Sequence, residues 1–185
     1  NVKKNKSQYE QKIILITGAA GSIGSEIVRQ LINYIPKKLI LVDNSELSLF
    51  NIKNELSELN INIKVDYLLK SVTDNHSIDK VFKNNKIDIV FHAAAFKNVF
   101  MTESSPSDSI LNNIMGTKNV LDNAIKYDVT NFVLVSTDKA VNPSNVMGAS
   151  KRIAEIYASI LSDKSKTKII TTRFGNVLGS SGSVV

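Results

Sequence analysis

The sequence predicts an α/β protein built on a doubly wound parallel sheet, and three observations lead there. From residue 12 onward, short apolar runs suited to strands buried on both faces alternate with segments of helical periodicity. A glycine-rich turn, TGAAGSIG, joins the first strand to the first helix. An aspartate closes the second strand 19 residues after the last of those glycines, close to the spacing of about 20 at which a ribose-binding acid is expected. Strands separated by helices require a parallel sheet covered on both faces. Six strands in two successive halves predict the order 3-2-1-4-5-6.

The elements follow in turn. Residues 12–17, KIILIT, form the first continuous apolar run. In SIGSEIVRQLINYI, Ile23, Ile27, Leu31 and Ile35 recur as one helical stripe, which Pro36 ends. Residues 38–43 read as a second buried strand and 45–59 as a second helix. A strand over 61–69, a helix over 75–85 and a strand over 87–95 come next. Residues 105–128 open on a Ser-Pro helix start and carry Ile110, Ile114, Leu121 and Ile125 on one face. A fifth strand over 131–137, a long helix over 145–162 and a sixth strand over 168–177 complete the pattern. Residues 1–11 are polar and basic and read as a linker ahead of a domain over 12–185. SSGSVV follows closely on the sixth strand, so the expectation is a domain cut short, its C-terminal substrate region truncated.

Composition narrows the function. A chain of 185 residues with 43% apolar content suits one domain with a sizeable core. No apolar run approaches the roughly 20 residues that span a bilayer. With no cysteine there are no disulfides and no thiolate chemistry, which fits a cytoplasmic chain. Two histidines and no cysteine make a dedicated metal site an unexpected feature. The formal charge of +6 comes from scattered lysines without a basic stripe interleaved with aromatics, which argues against nucleic acid. Attraction of an anionic small substrate is compatible with it.

Gly18, Gly21 and Gly24 lie where a backbone lacking side chains can approach a pyrophosphate, next to the N–H groups of a helix start. Glycines also serve ordinary tight turns; the strand before and the helix after are what sharpen the reading to a Rossmann-type dinucleotide site. Asp43 can accept hydrogen bonds from the adenosine ribose and repels the extra phosphate of NADP, while residues 43–51 contain no arginine to neutralise one. That favours NAD. The alternative is a strand-end aspartate that caps the next helix. The small residues Ala93, Ala94 and Ala95 let the fourth strand end lie against a cofactor, or else serve close packing. His92 reads as a core or strand-end histidine.

STDKAVNPSNVMGASKR, residues 136–152, has a hydroxyl-rich strand end, a turn and a helix with Lys151 four residues after Met147. Together with TGAAGSIGSEIVRQL, HAAAFKNV and RFGNVLGSSGSVV, it resembles the extended short-chain dehydrogenase/reductases of bacterial polysaccharide biosynthesis. More narrowly it is similar to the CapD/PglF-type UDP-N-acetylglucosamine 4,6-dehydratases, over about residues 12–185. That resemblance implies NAD as cofactor and a UDP-sugar as substrate, which is oxidised at C4, loses water across C5 and C6, and is reduced at C6. It assigns further cofactor contacts to Ser22, Ile23, Asn44, Ser45, Lys97, Asn113 and Lys151, and substrate contacts to Lys97, Glu103, Arg173 and Asn176. It also implies a homo-oligomer through helices 106–127 and 145–162, and a longer protein held at the cytoplasmic face of a membrane by a region ahead of this domain.

The usual catalytic tyrosine of such enzymes is replaced by Met147, whose thioether cannot exchange a proton, so Met147 packs or positions. By resemblance, Asp138 assists departure of the C6 hydroxyl and Lys139 takes the C5 proton. An ordinary lysine, with a pKa of about 10.4, is a poor base at neutral pH. Desolvation and the neighbouring charge of Lys151 would bring Lys139 toward the useful range of about 7–8. Thr137 can hydrogen-bond the C4 hydroxyl but is too weakly acidic to begin as its base, which leaves Asp138 for that proton. The sequence departs from the family pattern at Asn98 and Phe100, where histidine and proline are expected, and at Ser71, where an adenine-contacting aspartate is usual. C4 epimerisation and cofactor binding without turnover remain the alternative functions.

Overall fold

The computed structural model describes residues 8–59 and 61–177. Its strands are β1 (Ile13–Thr17), β2 (Lys38–Asp43), β3 (Lys64–Leu69), β4 (Ile89–His92), β5 (Asn131–Thr137) and β6 (Lys168–Phe174). They form one parallel sheet in the order β3-β2-β1-β4-β5-β6, as the alternation of elements predicts. The helices are α1 (Ser22–Leu31), α2 (Glu46–Glu58), α3 (Asn75–Lys83), α4 (Val99–Ser104), α5 (Pro106–Ser109), α6 (Gly116–Lys126) and α7 (Val146–Ser162).

The continuous apolar strands are explained by a period of two on two buried faces. Ile14 and Ile16 of β1, with Leu39 and Leu41 of β2, pack against Val28 of α1 and Leu49, Ile52 and Leu56 of α2. Leu15, Ile40 and Val42 face the other way, into a cluster with Phe82 of α3, Val120 and Leu121 of α6 and Ala158 of α7. Reversal of strand order between β1 and β4 opens a crevice at the C-terminal ends of the strands, which is where ligands bind in such sheets.

Three local expectations are corrected. The first helix ends at Leu31, and a 3-10 turn, Ile32–Tyr34, leads to Ile35 in the left-handed region at φ 51°. Pro36 bars a helical continuation, so Ile35 is exposed and the buried positions of α1 are Gly24, Ser25, Val28 and Leu31. The helix expected over 105–128 contains a π-helical turn, Ile110–Met115. This wider turn rotates the apolar stripe, leaving Ile110 and Leu111 exposed and burying Asn112 and Asn113. Helix α4 was not expected; Asn98 caps it by accepting from the Met101 N–H at 3.1 Å.

The expected linker lies outside the described residues as far as Ser7. Beyond it, Tyr9 packs edge-on against Tyr34 with ring centroids 5.3 Å apart. The tail from Leu178 also lies outside the described residues. Among the described residues no helix is long and apolar enough to cross a membrane.

Candidate active site

Two cavities meet at the glycine turn. One, of about 270 Å³, runs from Gly18 and Gly21 past Asp43, Asn44, Ser45 and Lys70. The other, of about 510 Å³, runs from the same glycines and Ser22, Ile23 and Gly24 past Lys97 to Thr137, Lys139, Met147 and Lys151. Ala93 and Ala95 border both. A two-lobed groove with a helix N-terminus at its waist has the shape and polarity for a dinucleotide.

The glycines are required by close approach. Gly18 has φ +66°, and a Cβ there would lie 2.6 Å from the Ala94 nitrogen. At Gly24 a Cβ would lie 2.0 Å from the Gly18 carbonyl oxygen. Asp43 ties this turn to β2: Oδ2 accepts from the Ala20 N–H at 2.9 Å and Oδ1 from the Ser45 N–H at 3.0 Å. It does not cap α2, because the Ser45 hydroxyl does so by accepting from the Ser48 N–H. Ser71 is turned to Thr73, hydroxyl to hydroxyl at 2.8 Å.

Beneath the groove, His92 is fully buried between the hydroxyls of Thr17, 2.7 Å from Nδ1, and Thr117, 3.0 Å from Nε2. The Thr117 hydroxyl donates to the Asn113 carbonyl, so it accepts from His92, and the hydrogen-bond network assigns the Nε2–H tautomer. Burial, aided by the charge of Lys151, holds the imidazole down at about 3. The unfolded chain binds a proton below about 6.5 that the folded chain refuses. Stability therefore falls as pH drops from about 6.5 toward 3, by up to about 1.4 kcal/mol per pH unit from this group. Chemical denaturation of the chain and of His92→Gln across that interval checks this, the variant having the shallower slope.

Asn113 is a clamp, not the expected cofactor contact. Oδ1 accepts from the Phe96 N–H at 2.7 Å, while Nδ2 donates to the Phe96 carbonyl and to the Ser150 hydroxyl. The fully buried amide has spent its polar atoms on the 93–97 segment and on α7. The π-helical turn is what brings it inward.

At the other lobe, β5 ends at Thr137 and a 3-10 turn, Asp138–Ala140, follows. Gly148 lets that turn rest on the first turn of α7, since a Cβ there would lie 2.4 Å from the Lys139 carbonyl oxygen. The Thr137 hydroxyl donates to Asp138 Oδ1 at 2.9 Å. Lys139 Nζ lies 3.3 Å from the same oxygen and 3.1 Å from Asn176 Oδ1. Those contacts, Thr137 first and Lys139 second, hold the exposed Asp138 carboxyl below its usual range. Thr137, Lys139 and Asn176 line the cleft, whereas Asp138 is not among its lining residues and is bonded to Thr137 and Lys139.

The burial expected at Lys139 is found at Lys151. The Lys139 side chain is 37% exposed, whereas Lys151 is 4% exposed and donates from Nζ to the Val135 carbonyl at 2.6 Å. Desolvation, opposed by Glu155, brings the Lys151 ammonium down to about 8. Met147 is buried at the cleft wall.

Two expected substrate contacts are directed elsewhere. Glu103 accepts from the Val146 N–H at 2.6 Å, satisfying the first turn of α7. Arg173 closes a two-point fork on Glu155, with Nε to Oε1 at 2.9 Å and Nη2 to Oε2 at 2.7 Å. Sequence reasoning missed Glu155, Gly148, Phe96 and Val99; Asn98 and Phe100, noted only as departures from the family pattern, prove to line the cleft. Glu155 left a signal, a charge four residues beyond Lys151 on the stripe that also holds Ala154 and Ala158.

Comparison with known proteins agrees with this geometry. The signature of the polysaccharide biosynthesis protein family matches residues 14–185. The chain belongs to that family. It is 50% identical over 180 residues to the capsular polysaccharide biosynthesis protein CapD of Staphylococcus aureus, covering 96% of this chain and 30% of that protein. It is 35% identical over 181 residues to a UDP-N-acetylglucosamine 4,6-dehydratase (inverting) of Campylobacter jejuni serotype O:2 and 36% identical over 182 residues to a UDP-glucose 4-epimerase of Rickettsia rickettsii, covering 96% of this chain and 52% of each. Among solved structures, Pen from Bacillus thuringiensis superposes with a TM-score of 0.87 at 34% identity, covering 95% of this chain and 53% of Pen. The chain thus spans between about a third and about a half of these family relatives.

Proposed function

We propose that the protein containing this chain binds NAD and dehydrates a UDP-N-acetylhexosamine, UDP-N-acetylglucosamine by preference, to its 4-keto-6-deoxy form for surface glycan synthesis. The observation that carries this reading is the Thr137–Asp138–Lys139 turn beside the dinucleotide-shaped groove, with a methionine where a proton-exchanging tyrosine would be needed. The residues fit the cofactor: the glycines leave room for a pyrophosphate, Asp43 and Ser45 face the adenosine lobe, and Lys151 lies at the nicotinamide lobe. Bound NAD supplies reversible two-electron oxidation of the sugar.

The chain's own groups handle the protons. Asp138 accepts the C4 hydroxyl proton, directly or through Thr137 or a water. The C4 ketone acidifies the C5 hydrogen, which passes to Lys139. Asp138 then delivers its proton to the departing C6 hydroxyl, and Lys139 returns one to C5 as C6 is reduced. Each proton taken is given back, so the couple ends as it began. Met147 fills space and keeps water from the nicotinamide lobe, and Asn176 holds Lys139 from the far side.

The test uses the full-length protein with UDP-N-acetylglucosamine in deuterated water. Product lighter by one water, with deuterium at C5, supports the reading. An isomer of unchanged mass assigns C4 epimerisation, which the Rickettsia relative favours. Unaltered substrate with NAD shown to be bound overturns both.

The same reading pairs two copies of the chain through α7 and the helical segment before it. Ile153, Ile156 and Ile160 form an exposed stripe on α7, and Ile110, Leu111 and Met115 are exposed beside it. Ile156→Glu is expected to convert a dimer to a monomer by light scattering with little change in melting temperature. A wild-type monomer at tens of micromolar rejects the pairing.

A further inference from the structure

Lys151 has surroundings that a ribose contact alone does not need. Its Nζ is held by a main-chain carbonyl of β5, and the residue is buried. One helical turn on, Glu155 is 5% exposed, on the same face of α7. Arg173 is placed by the pairing of β6 with β5, opposite Ser136, next to the Val135 that holds Lys151. Its fork joins the buried Glu155 carboxylate, one helical turn from Lys151, to a guanidinium that reaches the surface.

Stability does not account for this arrangement. A buried carboxylate is costly to desolvate, and apolar replacements of buried ion pairs are often neutral or better. What the carboxylate contributes, and an apolar residue cannot, is a field at the neighbouring ammonium. We propose that the Glu155–Arg173 pair is a positioning device for Lys151, with Glu155 holding charge on the ammonium and Arg173 limiting how strongly it does so. Its use in the reaction rests on the function proposed above; the titration of Lys151 does not.

The charged neighbourhood is small enough for the sign to be worked out. On α7 it comprises Arg152, 3.3 Å from Glu155, and Glu155 itself. From β6 comes Arg173, from β4 the neutral His92, and from the turn after β5 the mutually paired Asp138 and Lys139. Burial pulls the Lys151 ammonium down, and Glu155 is the influence that opposes it. The Glu155 carboxyl is held at about 2, by Arg173 first, so it is fully ionised wherever Lys151 titrates. Loss of the Glu155 charge therefore moves Lys151 down, and loss of the Arg173 charge moves it up.

The experiment follows the lysine side-chain nitrogens of the ligand-free chain by NMR across pH 6–11, with Lys151 assigned from Lys151→Arg. The expected result is a midpoint lowered by about one pH unit in Glu155→Gln, a tenfold larger neutral fraction near neutrality, and a midpoint raised in Arg173→Gln. Arg173 is partly exposed, so Arg173→Gln keeps the test open if Glu155→Gln fails to fold. Midpoints that stay put in both variants, or move in the same direction, overturn the proposal and leave the pair as a strand-to-helix tie. Since neither NAD nor sugar is present, failure here is separate from failure of the dehydration assay.

Discussion

Gly24→Ala is expected to abolish measurable NAD binding and to lower the melting temperature. The added Cβ falls 2.0 Å from the Gly18 carbonyl oxygen, and both groups belong to backbone that cannot swing aside. Relief requires the glycine turn to move away from α1, which displaces the N–H groups at the waist of the groove. Overpacking of this kind costs about 1–3 kcal/mol, or about 2–4 °C for each kcal/mol in a chain of this size. Affinity should fall more steeply, because every 1.4 kcal/mol of misfit at the pyrophosphate is about tenfold in Kd. Isothermal titration with NAD and a thermal melt on the same preparation check both parts. Wild-type affinity in Gly24→Ala would remove the groove from consideration as the dinucleotide site.

Lys139→Met in the full-length protein should lower turnover by about 10²–10⁴, the contribution of a well-placed acid–base group. It should leave NAD affinity within a factor of two or three. The side chain is more than a third exposed, and its polar partners, Asp138 and Asn176, can turn to water, so stability should change by no more than about 0.5 kcal/mol. Product mass over time measures the first effect and cofactor titration the second. A variant that turns over at the wild-type rate ends the assignment of Lys139 as the C5 base. A variant that has lost NAD as well shows instead that the turn after β5 supports the cofactor.

Much of the fold was legible because its signals are local. Strands of five or six apolar residues between glycine, proline and aspartate leave few alternatives to a parallel sheet, and the two buried faces found for β1 and β2 are the reason those strands do not alternate. Where legibility failed, geometry outside the local segment was responsible. Ile35 matches the helical stripe in sequence, yet the chain has to reverse before Pro36. Ile110 matches a stripe that one π-helical turn rotates away, and nothing in ILNNIM by itself announces a wider turn. Its consequence is large, because it buries Asn113 against Phe96 and Ser150.

The site divides along the same line. By itself the sequence determined which chemistry is at hand: glycines for close backbone approach, an aspartate at the second strand end, a Thr-Asp-Lys turn, and no phenol at Met147. Those are properties of residue type and spacing, and they survive any reasonable folding of the segment. Only the tertiary structure decided which of two lysines is desolvated, because burial depends on what packs above a side chain from distant strands. It buried Lys151 in the cleft wall, left Lys139 more than a third exposed, and turned Arg173 and Glu103 to Glu155 and the start of α7.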